Sequence, residues 1–549
     1  MAVNRKLDFI WKLFLIFSVL AISLLIIDRY EFSNHFTLLP GDAYDAVIMT
    51  TILEHWYHVF LGIEQWSYIN YFFPYTKTIA QTDGYFLIGI PYSIFRFSGL
   101  DPFIASDLAA LVIKSFGFIG MFLLSRRYFS FTFYWALFIA LLFTLSNGMI
   151  LHSSRLQLAT VAFAPTLFML IWAATKALWE NDLPQFRKKG AFSGLFFGAW
   201  CLTCFYMAWF FLFFLFTFSI MLLLLGGKQK IIEVKNKIRD NYWSILFVVV
   251  ISLLFLLPFI SVYLPKSLEV GVRNYAQVRS NTTPLVAILQ VGKTNFMWGT
   301  IYNSVLSALH YSFNDGEYYS TGFPFILFFL FVCGCIYTIK IRTKENTIDC
   351  AFIFATFITW AFTLNIANHS AWFFIYHLFP GAKALNAILT YQLFLAFPIT
   401  IIAIRYLSTQ QLTAPILFLL CALMIGEEIN QPYLNLNRNA ELNKVSLPNG
   451  LPPKECEAFY VSGWAEQNSK SSDIVKIYPH NVTAMMIAEQ IQIPTINGIA
   501  SFNPPDWNFS NPNNSDYDVR VLTYVKKHGI TNLCKLDLNT KQWEPVIIG

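Results

Sequence analysis

Charge is scarce in this chain. Asp, Glu, Lys and Arg make up 13% of it, against 56% hydrophobic residues. That balance excludes an ordinary soluble domain and places the chain among multi-span membrane proteins. Several chemical signatures are missing as well. There is no phosphate-cradling glycine loop, no HExxH, no GxSxG and no pair of CxxC motifs at zinc spacing. Cys201-x-x-Cys204 stands alone inside an apolar run. No motif indicates a cofactor or a divalent metal. Cysteine is sparse at eight residues. Six of them (Cys201, Cys204, Cys333, Cys335, Cys350, Cys421) lie in or beside apolar segments, where a thiol serves as a small packing group. Cys456 and Cys534 lie in a polar C-terminal region and are a candidate disulfide if that region is oxidised. The net charge of +6 does not point to nucleic acid, because the basic residues sit at the ends of apolar segments.

What the chain does have is apolar runs near the roughly 20 residues that a helical span needs. They fall at 11–27, 103–124, 131–149, 157–178, 191–206, 208–226, 243–263, 322–340, 350–367, 389–407 and 412–428. The stretch 191–227 is too long for one span and is split near Tyr206. No small-residue cleavage site follows the first run, so it reads as a retained signal anchor. Residues 85–98 are short and contain Pro91 and Arg96. Reading them as an interfacial helix puts Arg5-Lys6, Arg126-Arg127, Arg187-Lys188-Lys189, the Lys228–Arg239 run, Lys340, Arg342, Lys344 and Arg405 on one side. The positive-inside rule makes that side cytoplasmic. The expected architecture is an all-α polytopic domain over 1–428 with about eleven spans, and a small α/β extracytoplasmic domain over 429–549. The N-terminus faces the cytoplasm. The outer loops are 28–99, His152–Gln157, 264–321 and 368–388.

Chemistry is therefore sought on the outer face. The first outer loop collects acids: Asp42, Asp45, Glu54 and Asp83. Asp42 and Asp45 precede a helix-like run, so helix capping and a favourable helix dipole explain them in one reading. In the other, Asp42 is a general base or orients an acceptor hydroxyl. Glu54 and His58 share a helix face and form either a salt pair or part of a site. His55 points elsewhere and is a candidate substrate contact. Arg155 opens the fourth span, where an arginine either snorkels or binds phosphate. Arg273, Arg279 and Lys383 are further phosphate candidates, and Glu317 is a polar group of the long outer loop. Asp107 and Lys114 lie inside the second span and suit an ion pair, mutual or with a neighbour. In the tail, Ile474–Tyr478 reads as a strand and Val519–His528 as a helix.

The order of short elements carries a resemblance. It runs Gly41-Asp42, Asp45, Glu54-His55 and Asp83, then Phe97-Ser98-Gly99, Arg126-Arg127 and His152–Leu158. Val272-Arg273, Val278-Arg279-Ser280, Asn295-Phe-Met-Trp298-Gly299, Glu317 and Gly322 follow. Pro380-Gly381, Pro494-Thr-Ile-Asn497-Gly498 and Pro504-Pro505 complete it. In this the chain resembles the bacterial branch of the GT-C integral-membrane glycosyltransferases. The resemblance implies a polyprenyl-phosphate-sugar donor, chemistry at the outer membrane face, and an acid in the first outer loop, by position Asp42 with Asp45 second. Related sequences often carry arginines after the Pro-Gly, whereas this chain has Asn386, Leu389 and Tyr391, leaving Lys383 as the cation there. The expected activity is sugar transfer to a lipid-linked or cell-surface glycan, such as the O-antigen of lipopolysaccharide, at the cytoplasmic (inner) membrane. Membrane lipids are expected partners and nucleic acid is not. The alternatives are a lipid-linked glycan transporter or flippase, which calls for midplane charges and matching broken helices, and an O-antigen polymerase.

Overall fold

The computed structural model describes residues 2–151, 155–311, 320–341, 347–432, 434–464 and 479–546. Each of the eleven apolar runs is helical over most of its length. Among the described residues, six helices are long and apolar enough to cross a membrane: Lys6–Ile27, Pro102–Arg127, Leu158–Trp179, Phe205–Asp240, Tyr242–Val270 and Ile388–Leu407. The run 191–227 breaks where one helix ends at Thr203 and the next begins at Phe205, with Cys204 extended between them. The Tyr242–Val270 helix leaves Leu253, Leu254, Leu257 and Leu264 exposed, a surface suited to lipid rather than water.

The chain forms two compact units. One comprises Met1–Arg29, Leu111–Leu257 and Arg273–Pro432. It is a helical body in which Phe325–Lys340 lies along Tyr391–Leu407. A Cβ on Gly334 would come within 2.8 Å of the Ile402 carbonyl oxygen, so this close backbone approach requires glycine. Lys114 pairs with Asp28 at 3.4 Å, both almost wholly buried, which supplies the neighbouring ion pair expected of an intramembrane lysine. Glu427 accepts the backbone N–H groups of Ile326 (2.8 Å) and Leu327 (2.7 Å) and the Trp298 indole N–H (3.0 Å). A carboxylate thus satisfies the N-terminus of the Phe325–Lys340 helix.

The other unit comprises Tyr30–Ala110, Pro258–Val272 and Tyr433–Gly549. The first outer loop, expected to belong with the membrane body, packs instead with the C-terminal region. Leu38 and Leu39 pair antiparallel with Asn437 and Leu436. A three-stranded sheet runs in the order Ala458–Ser462, Leu533–Asp537, Trp543–Pro545, the first pair parallel and the second antiparallel. Its core mixes residues of both segments: Leu39, Val47 and Phe103 pack with Phe459, Val461, Met486, Ile487 and Leu536. Cys456 and Cys534 are disulfide-bonded, their Cα atoms 5.6 Å apart. The expected tail helix is Tyr517–His528, while Ile474–Tyr478 lies outside the described residues.

Candidate functional site

The Asp45–Phe60 helix presents the acids of the first outer loop. Asp42 Oδ1 accepts the backbone N–H groups of Tyr44 (3.0 Å) and Asp45 (2.7 Å). It therefore builds the turn into the helix, while the N-cap position expected for Asp42 is taken by Tyr44, which makes no side-chain cap bond. Its side chain is also exposed. Asp45 is the first helical residue and is half-buried.

Glu54 is placed differently. It is 2% exposed and accepts from Tyr92 Oη (2.5 Å), Arg96 Nε (2.8 Å) and Arg96 Nη2 (2.7 Å). The guanidinium stacks over the Tyr57 ring at 5.2 Å. A carboxylate filled by a bidentate arginine and a phenol has little capacity left for an acceptor hydroxyl. The expected pair with His58 is present at 3.9 Å, but it is buried rather than on the surface, and the Arg96 and Tyr92 bonds make Glu54 part of a buried joint rather than the catalytic acid it was expected to be. That joint ties the Asp45–Phe60 helix to the Phe86–Phe97 helix. The two helices approach closely at Gly89, where a Cβ would sit 2.7 Å from Trp56 Cβ.

His55 is buried, not substrate-facing. Its Nε2 lies 3.2 Å from the Trp66 carbonyl oxygen, and its Nδ1 is hydrogen-bonded to Glu64 Oε2. His58 Nδ1 lies 3.5 Å from Glu64 Oε1 and 3.6 Å from Glu489 Oε2. Burial works against protonation of both imidazoles, yet the carboxylates outweigh it, raising His55 and pushing His58 up to about 9. Burial likewise opposes ionisation of Glu64, but the hydrogen bonds from both histidines hold it down to about 2. Burial and the Glu64 charge push Glu489 up to about 7. Neither Glu64 nor Glu489 was foreseen. His55 and His58 were singled out separately, and Glu489 lies more than four hundred residues away with no local signature.

In the helical unit, the two loops expected on the outer face are laced together. The Arg273 N–H donates to the Lys383 carbonyl (3.3 Å), and Tyr376 Oη donates to the Arg273 carbonyl (2.6 Å). Asn281 Nδ2 donates to Asn386 Oδ1 (3.1 Å), and the Leu389 N–H to the Asn281 carbonyl (2.9 Å). Tyr206 Oη accepts the Asn386 N–H at 2.6 Å, which gives this outer-end tyrosine a partner. Arg273, Arg279 and Lys383 thus sit on two connected segments. Lys383 is exposed and Arg279 half-buried, with Nε making no hydrogen bond among the described residues. Arg155 is half-buried in the same unit, and its neighbours His152 to Ser154, like Glu317, lie outside the described residues.

Neither a family model nor a curated protein matches the sequence. The structure is similar to the crystal structure of the Archaeoglobus fulgidus oligosaccharyltransferase in complex with Zn and sulfate. The TM-score is 0.52 at 12% identity, over 95% of this chain and 67% of that one. The chain has a GT-C-type fold. A second structure, the archaeal oligosaccharyltransferase AglB from Archaeoglobus fulgidus with an inhibitory peptide and a dolichol-phosphate, gives a TM-score of 0.48. Its identity is 12%, over 96% of this chain and 69% of that one. At such identity the GT-C likeness concerns the fold, and roles must be argued from this chain's own residues.

Proposed function

We propose that this protein is a glycosyltransferase that takes its sugar from a polyprenyl-phosphate donor at the outer face of the cytoplasmic membrane. The acceptor is a lipid-linked or cell-surface glycan. The observation that carries the reading is the GT-C-type fold over 95% of the chain. An acceptor hydroxyl attacks the anomeric carbon, and the bond from that carbon to the phosphate oxygen breaks. The electron pair leaves on the polyprenyl phosphate, and the hydroxyl proton passes to Asp42. The exposed carboxylate of Asp42 suits that task, and its backbone hydrogen bonds fix its direction. Arg273, Arg279 and Lys383, on their two laced segments, with Arg155, are the cations of the helical unit suited to binding a phosphate. The disulfide Cys456–Cys534 supports an extracytoplasmic location for its unit, since such bonds persist in oxidising compartments.

The test is transfer by the purified full-length protein in lipid vesicles, supplied with polyprenyl-phosphate sugars and an extracted glycan acceptor. Lipid-linked sugars are measured in parallel in a deletion strain. Labelled glycan from the wild type and accumulated donor in the deletion strain are expected. Movement of the intact lipid-linked glycan across the vesicle, with no new glycosidic bond, would replace the reading with a flippase.

A further inference from the structure

His55, Glu64 and Glu489 bring together three side chains that can ligate metal. Their donor atoms all lie within 4.8 Å of one another. All three belong to the unit built from the first outer loop and the C-terminal region. The site is separate in residues from the acid and the cations assigned to sugar transfer.

Each donor is oriented by a neighbour. His55 Nε2 faces the Trp66 carbonyl at 3.2 Å and so carries a proton. That leaves Nδ1 hydrogen-bonded directly to Glu64 Oε2, a contact that a proton bridges and that a bound ion would have to part. A histidine whose second nitrogen donates to a backbone carbonyl is the usual form of a metal ligand. Glu489 is fully buried, and its Oε1 accepts the Asn70 N–H at 2.9 Å. Its Oε2 makes no hydrogen bond among the described residues, and it turns toward His58 Nδ1 at 3.6 Å. A buried carboxylate oxygen left in this state is costly. Asn70 Nδ2 also donates to Glu64 Oε1 at 2.7 Å, so one residue orients both carboxylates.

Tetrahedral zinc, with ligands at about 2.0–2.1 Å, separates its donors by about 3.3 Å. His58 Nδ1 lies 3.5 Å and 3.6 Å from one oxygen of each carboxylate, close to that edge length. Gln492 Nε2, now 2.8 Å from His58 Nδ1, is the group that would yield. Imidazole with carboxylate suits zinc, whereas magnesium and calcium take oxygen ligands.

We propose that His55, Glu64 and Glu489, with His58 as fourth donor, bind a zinc-type divalent ion that staples the first outer loop to the Pro479–Ile491 helix. Two carboxylates neutralise the dication, and the ion links segments that no local sequence signal connects.

The experiment uses full-length protein in detergent, stripped with a chelator and then given Zn2+, Mg2+ or Ca2+ alone. Metal content, thermal unfolding and zinc-edge X-ray absorption are read. The wild type should take up about one zinc ion per chain, coordinated by nitrogen and oxygen without sulfur. Its unfolding midpoint should rise with zinc and stay unchanged with magnesium or calcium. Glu489→Gln and Glu64→Gln should lose the ion, and Asp42→Asn should keep it. No zinc uptake by the wild type would overturn the proposal, leaving a purely protonated cluster. Zinc uptake surviving Glu489→Gln, or lost in Asp42→Asn, would equally overturn it by placing the ion elsewhere.

Discussion

Asp42 and Glu54 are acids of one loop with opposite surroundings, and substitution separates their roles. Asparagine forms turns and caps about as well as aspartate, so Asp42→Asn should leave the unfolding midpoint nearly unchanged. Loss of the base should lower transfer by about 100-fold or more. A variant that transfers at the wild-type rate would reduce Asp42 to its turn. Glu54→Ala strips the partner from Arg96 and Tyr92, and breaking a buried pair costs about 3 kcal/mol or more. Its transfer rate, corrected for the folded fraction, should stay near wild type; a loss beyond that fraction would return Glu54 to the chemistry. His480 sets an acid limit. Burial, only partly opposed by the Phe509 carbonyl, lowers its pKa from 6.5 to about 3. Above pH 6.5 the imidazole is neutral folded or unfolded, and its contribution is intact. Below that the unfolded chain takes up a proton that the folded one refuses. Stability is therefore lost as pH falls from 6.5 toward 3, by up to about 1.4 kcal/mol per pH unit. His480→Gln should flatten that limb, and an unchanged profile in pH-dependent unfolding would argue against this source.

Among the elements, the disulfide is the one whose removal has a size. Its cysteines lie 78 residues apart, and closing such a loop stabilises by about 2–4 kcal/mol, chiefly by restricting the unfolded chain. Reduction or Cys534→Ser should lower stability by that order, and mass analysis without reductant should show the bonded pair. Free thiols in protein kept under oxidising conditions would refute it. The Phe86–Phe97 helix has 12 residues, about 18 Å at 1.5 Å per residue, too short for a hydrocarbon core of about 30 Å. The length of this helix was legible in the sequence because apolar run length acts locally. The break beside Tyr206 was legible for the same reason. The surroundings of the acids were not. Arg96 looked like a charge disfavouring a span, with nothing to say that it closes on Glu54. His55 and His58 were each visible, on different faces of the helix, while Glu489 had to be delivered by tertiary folding. Arg273, Arg279 and Lys383 were each legible only as separate cations, because backbone bonds between two distant loops are what connect them.

At the scale of the molecule, the first outer loop and the C-terminal region share one core. Backbone bonds join them repeatedly. The Phe72 N–H donates to the Asn497 carbonyl, the Phe73 N–H to the Thr495 carbonyl and the Thr495 N–H to the Asn70 carbonyl. Glu489 receives the Asn70 N–H. Had the C-terminal region been a free-standing domain, its removal would leave the loop intact. The shared core requires otherwise, because deletion exposes Val47 and Phe103 and strands these buried backbone groups. A chain ending at Pro432 should still insert its apolar helices. Its 30–110 segment should become sensitive to protease added from the outer side, and transfer should fall to background. Limited proteolysis of sealed, outward-facing vesicles, read by mass spectrometry of the released peptides, checks this directly. A truncated chain whose loop stays as protected as in the full-length protein would show that the loop folds without the C-terminal region. The acid Asp42 would then owe its placement to the 30–110 segment alone.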